Sequence, residues 1–242
     1  PHSPFYYSTA TEETRQIQIA HFVIKDKLEC SMLLEAIDNL DLDLLSIQTT
    51  ANLDLSDICT PQLKTKFPYR INHFNKTSGT LVFSKMRLDA ADTFHCDGIP
   101  YLMSNLIIYS LSKRKLQFLS LYLPAAAAEN PTLMMEKLSA IGGCWSTRQA
   151  KDMPLMAFGA IPAVAWSPEI RAFRSLCTLN DSRLDLELQS KSEHIFYSNH
   201  LQCLSYESLG SGIGVIGTYQ LKLPSATANL EITEANPTLT QR

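Results

Sequence analysis

The chain alternates between unbroken apolar runs and stretches where apolar residues recur at helical spacing. "IQIAHFVI" (17–24) is apolar at nearly every position, the pattern of a strand covered on both faces. Cys30, Leu33, Leu34 and Ile37 then fall at i, i+3, i+4 and i+7, which predicts an amphipathic helix. "LDLLSIQ" (42–48) reads as a second buried strand, and strand, helix, strand at this spacing predicts a crossover with the two strands parallel. Residues 53–67 carry a further helical pattern that stops before Pro68. The pattern then changes. "YRINHF", "GTLVFSK", "MRLDAADTF", "LMSNLIIYSLS" and "LQFLSLYLP" read as strands joined by short turns, an antiparallel meander.

Asn130-Pro131 caps a helix running to about Arg148. "PLMAFGA" (154–160) is a strand. Ser167 and Pro168 then stand as N-cap and first residue of a helix reaching Leu176. "RLDLELQ", "HIFYSN", "LQCLSYESL" and "GVIGTYQLKL" close the chain as strands. Strands in this number, with four helices among them, predict an α/β (α+β) architecture, a four-layer α-β-β-α sandwich of two packed mixed sheets with outer helices. No repeat or linker divides the chain. Residues 16–224 are read as one domain, 1–15 as a lead-in and 225–242 as a polar, flexible tail.

Composition narrows the function classes. Hydrophobic residues make up 45% and charged residues 19% of the 242 positions, a globular balance. The net charge of −3 provides no basic surface for phosphates, so general nucleic-acid binding is not expected. Lys113-Arg114-Lys115, the densest basic run, reads as a hairpin turn. Six cysteines are scattered without zinc spacing and sit mostly in apolar stretches; buried free thiols are expected, although an even count permits disulfides. No apolar stretch is long enough to span a membrane.

Candidate chemistry is thin. The strand "PLMAFGA" ends in a loop leading to a helix, the place where α/β enzymes set their chemistry. That loop, Ala160 to Ala165, holds no acid, base, nucleophile or metal ligand. His95-Cys96-Asp97 is either a metal cluster or a turn before Gly98. His21 and His73 lie in apolar stretches, as core or rim histidines do. Tyr122, Phe158 and Trp166 form either an aromatic patch or part of the core. "GSGIGVIG" opens no helix and lacks the Lys of a phosphate loop. "NKT" (75–77) fits a glycosylation acceptor in form only.

The order of segments resembles the endonuclease/exonuclease/phosphatase superfamily, which has a deoxyribonuclease-like fold. "PLMAFGAIPAVAWSP" is similar to that family's "PVILAGDFNATPWSP", and "DLDLLSIQTT" to its "DPDVVLLQEV". "GTLVFSK", "LQFLSLYLP", "SEHIFYSN" and "GSGIGVIGTYQLKLP" stand in order where the family has "GNAILSR", "VTVVNTHLP", "IDHIFVSP" and "GSDHRPVLAELRLP". The resemblance implies metal-dependent hydrolysis of phosphate esters, using Mg²⁺ or Mn²⁺. It also implies that this chain has lost the residues involved. Val23 replaces the Asn of the first strand, Thr49 the metal-binding Glu and Tyr122 the phosphate-facing His. Ala160 and Pro162 replace the Asp and Asn of "GDFN". Gly212 and Ile213 stand near the Asp-His pair of "SDH", and Glu193-His194 replaces an Asp-His pair with a similar one.

Two function classes follow. One is a degenerate, non-catalytic binding or scaffold module with no cofactor, acting through an unidentified protein or small-molecule partner. The altered cleft of that module is either an open apolar site or packed shut. The other is a divergent phosphodiesterase, phosphatase or endonuclease with relocated catalytic residues. The start "PHSPFYY" resembles the link by which bacterial family members hang this domain from membrane helices. The expectation is therefore a trimmed, membrane-tethered domain on the extracytoplasmic, periplasmic face, with a cytoplasmic protein as the alternative.

Overall fold

A computed structural model describes residues 16–50, 61–74, 78–96, 99–107, 115–123, 129–149, 153–183, 193–209 and 214–222. The lead-in 1–15 and the tail 225–242 lie outside these residues. So do Cys59, Lys113 and Arg114, the "NKT" tripeptide, and Asp97.

Two six-stranded sheets face each other. The first contains β1 (Gln16–Ile24), β2 (Leu44–Thr50), β3 (Tyr69–Phe74), β4 (Ser78–Ser84), β11 (Leu201–Leu209) and β12 (Gly214–Leu221), in the order β11-β12-β1-β2-β4-β3. The second contains β5 (Leu88–Cys96), β6 (Ile99–Ile107), β7 (Lys115–Tyr122), β8 (Leu155–Ala160), β9 (Leu179–Asp181) and β10 (Glu193–Ser198), in the order β5-β6-β7-β8-β10-β9. Both are mixed. β1 and β2 pair in parallel across helix α1 (Lys27–Asp38), and β7 and β8 pair in parallel across helix α3 (Pro131–Ser146). The short helix α2 (Pro61–Lys66) lies on the first sheet's side, and α4 (Pro168–Cys177) packs beside α3. The four-layer sandwich expected from the sequence is the architecture found.

Period-2 alternation sorts the strand residues into three apolar seams. Ile17, Ile19, Leu44, Phe118, Met156, Phe158 and Ile195 fill the seam between the sheets. Ala20, Phe22, Leu45 and Ile47 pack under α1. Leu121, Ala157 and Phe196 pack under α3 and α4. Strands buried on both faces are why these runs carry so little polar alternation. The helix starts follow the sequence signals. Asn130 caps α3 by accepting from Leu133 N at 3.1 Å, and Ser167 caps α4 by accepting from Ile170 N at 3.3 Å. Gly159 sits against β7, where a Cβ would run into the Leu121 carbonyl oxygen.

Several expectations are corrected. The single meander is divided. β3 and β4 form a hairpin at the edge of the first sheet, and β5 to β7 a meander in the second, because each sheet needs antiparallel strands to widen it. The helix expected over 53–67 occupies only Pro61–Lys66 among the described residues. The expected strand "RLDLELQ" is not found at its described start. Arg183 lies in a turn and residues 184–189 lie outside the described residues; a short strand, Leu179–Asp181, directly follows α4. The cysteines are not all free thiols. Cys96, at the end of β5, is joined to Cys144 of α3, whereas Cys30, Cys177 and Cys203 are in no disulfide.

Candidate functional site

Strand register places the candidate residues at one end of the sandwich. In the first sheet, His73, Thr80, Gln48 and Val23 form one rung across β3, β4, β2 and β1. In the second, Tyr122, Ala160 and Glu193 form the facing rung across β7, β8 and β10. These rungs cross the C-terminal ends of β1, β2, β7 and β8, the end where sheets of this kind bind ligands. Gly212 and Ile213 lie outside the described residues, and Tyr122 is placed here by its backbone alone.

Between the rungs, a side chain that the sequence reading passed over links the two sheets. Gln48 is fully buried and joins the two sheets. Its Nε2 donates to the Leu121 carbonyl at 2.6 Å and to Ser120 Oγ at 3.3 Å, while its Oε1 accepts from Ala160 N at 2.9 Å. The signal for it was a polar residue sharing the core parity of Leu44 and Ser46, a place where a buried amide must find partners. Thr49, the next residue, has the opposite parity and shares the face of Leu45 and Ile47 under α1. Thr49 is 1% exposed, Ala160 7% and Glu193 6%; Val23 and Pro162 are half-buried.

Deeper in the same seam, His21 is fully buried, and its Nδ1 lies 3.1 Å from Ser46 Oγ. Its Nε2 has no hydrogen-bond partner among the described residues. Burial drives the His21 pKa down to about 4, and the Glu193 carboxylate opposes this only in part. His21 is therefore a neutral imidazole at pH 7.

Glu193 and His194 do not work as a pair. Being neighbours on β10, they point to opposite faces: Glu193 shares the parity of Ile195 between the sheets, and His194 that of Phe196 under the helices. His194 stacks on Phe196 with ring centres 5.1 Å apart. The carbonyls of Ile161 and Ala163 lie 3.1 and 3.0 Å from Nε2. Arg183 Nη2 lies 2.7 Å from Nδ1 and 2.9 Å from Nε2. Asp181 completes the cluster, 3.5 Å from His194 Nδ1 and accepting from Arg183 N at 2.9 Å. Burial would raise the Asp181 pKa, but His194 and Arg183 outweigh it and lower it. Burial first, and then the Arg183 charge, lower that of His194. This buried cluster pins the loop after β8 from beneath. Asp181 and Arg183 carried no signal in the sequence, because their partners come from other segments.

The aromatic patch is not formed. Phe158 stacks on Phe118 in the inter-sheet core at 5.3 Å, whereas Trp166 is 69% exposed. His95-Cys96-Asp97 is not a cluster of ligands either, since the Cys96 sulfur is consumed by the disulfide. No group of three or more candidate metal ligands occurs among the described residues.

The fold is that of solved endonuclease/exonuclease/phosphatase structures. No protein-family model matches the sequence, and no curated protein matches it. The likeness lies in the solved structures. The catalytic domain of human Nocturnin, determined with bound sulfate, superposes with a TM-score of 0.68 at 14% identity, over 88% of this chain and 97% of that one. An endonuclease/exonuclease/phosphatase family protein from Bacteroides thetaiotaomicron gives 0.67 at 11% identity, over 88% and 100%. A mannosyl-6-phosphatase from the same organism gives 0.61 at 12%, over 86% and 100%.

Proposed function

We propose that this chain is a non-catalytic module on the endonuclease/exonuclease/phosphatase fold, acting by binding rather than by hydrolysis. The Gln48 clamp carries the reading. It spans the mouth where a phosphate ester and its metal would have to enter, and its Oε1 is already engaged by Ala160 N. Mg²⁺ and Mn²⁺ need a set of oxygen ligands, usually with carboxylates among them. Val23, Gln48, Thr49 and Ala160 supply no carboxylate, and among the described residues of the two rungs Glu193 is the one that does. These residues do not fit the family's metal centre, so no catalytic step is assigned to it.

Binding then falls to the rim and the surface around it, where Trp166 is presented on a loop held by His194 and Ser167. The partner is a protein or small molecule rather than nucleic acid in general. An extracytoplasmic, periplasmic site on a tethered bacterial protein is part of the proposal. It is supported by the Cys96–Cys144 bond, since disulfides persist in oxidising compartments. No helix among the described residues is long and apolar enough to cross a membrane, so the tether would lie elsewhere.

Calorimetry with Mg²⁺ and Mn²⁺, paired with a hydrolysis assay on a generic phosphodiester, tests the reading. No saturable heat and no turnover above buffer are expected. A site tighter than roughly 1 mM, stabilising the fold in step with metal concentration, would overturn it. So would turnover abolished by Glu193→Ala, which would favour a divergent phosphoesterase.

A further inference from the structure

At the far end of the two rungs from Glu193, the edge strands of the sheets bring two imidazoles together. His73 lies on β3, the outermost strand of the first sheet, paired with Thr80. His95 lies on β5, the outermost strand of the second, paired with Pro100. Their ring centres are 6.1 Å apart and the planes are inclined by 78°. His73 is half-buried and its Nε2, shut off from solvent, has no hydrogen-bond partner among the described residues; His95 is exposed.

We propose that His73 and His95 form a two-imidazole site for a borderline divalent transition metal, Zn²⁺, Ni²⁺ or Cu²⁺, that clamps the two sheets at their edge. Imidazole nitrogens stand about 2.0–2.1 Å from such an ion, so two rings sharing one have centres roughly 5–6.5 Å apart. The observed spacing lies within that range. A buried ring nitrogen without a partner is unfavourable, and a metal would satisfy it. Two imidazole nitrogens suit Zn²⁺, Ni²⁺ or Cu²⁺ rather than Mg²⁺ or Ca²⁺.

The proposal goes beyond the non-catalytic reading and is independent of it, since it concerns other residues and other metals. The test is a Zn²⁺ titration of the full chain by calorimetry, with Cu²⁺ electron paramagnetic resonance as the second readout. One ion per chain is expected, with two coupled nitrogens in the Cu²⁺ spectrum. His95→Ala and His73→Ala should each weaken Zn²⁺ binding by about tenfold or more and leave one coupled nitrogen. His200→Ala, at an exposed histidine elsewhere, should change neither. His95→Ala alters an exposed ring, so a folding defect in His73→Ala would leave the test intact. No Zn²⁺ binding at roughly 1 mM would overturn the proposal. So would binding that survives both substitutions, or a Cu²⁺ spectrum unchanged by His95→Ala.

Discussion

Replacing Gln48 by Met removes the clamp across the mouth while keeping the side-chain length. Ala160 N gives its hydrogen bond to Gln48 Oε1, at the last rung of β8, where the residue is buried. Losing the acceptor leaves that N–H unsatisfied, at about 1–3 kcal/mol, and losing the 2.6 Å bond to the Leu121 carbonyl adds roughly 1 kcal/mol more. Together this is about 2–4 kcal/mol, which lowers Tm by on the order of 5–10 °C in a chain of this size. Differential scanning calorimetry and urea denaturation read the effect, with an unchanged m-value showing that the two sheets still unfold together. Gln48→Glu sharpens the test. A protonated Glu can donate to the Leu121 carbonyl and accept from Ala160 N; an ionised one is repelled by the carbonyl. The folded-state pKa of that Glu is thereby raised, so its stability is complete at low pH and is lost as the pH rises through the raised value. The gap between Gln48→Glu and the parent should therefore widen from pH 4 to pH 7, both values on the order of the carboxylate range and above it. A Gln48→Met protein melting within about 2 °C of the parent would refute the clamp.

Two further outcomes follow from the buried groups. The His21 pKa of about 4 lies below the unfolded-state value of 6.5, so its contribution is complete above pH 6.5 and is lost as the pH falls toward 4. At pH 5 the loss relative to pH 7.5 is about 2 kcal/mol, read as a lower urea midpoint and absent in His21→Asn; His194, lowered in the same direction, adds to it. The lowered Asp181 pKa acts only below its ordinary 3.8 and does not blur that window. Reducing the Cys96–Cys144 bond, or replacing Cys144 by Ser, should lower stability by about 2–4 kcal/mol. The check is denaturation with and without reductant, and an unchanged midpoint in fully reduced protein would contradict it.

The sequence by itself determined the layers and the helix starts. Apolar runs that need cover on both faces, separated by capped helices, have few solutions other than a sandwich with helices outside, and Asn130 and Ser167 cap by contacts within three residues. It also revealed the absence of acids and bases in the loop after β8, because that is a property of residue types. Only the tertiary structure decided what occupies the mouth. Gln48 meets Ser120, Leu121 and Ala160 from 72, 73 and 112 positions away. His194 meets Arg183 because β9 lies beside β10, and His73 meets His95 because two different sheets end side by side. Periodicity reports which face of its own element a residue occupies. It carries no information on which residue another element sets opposite, and that pairing is fixed by strand order and register once the core is packed.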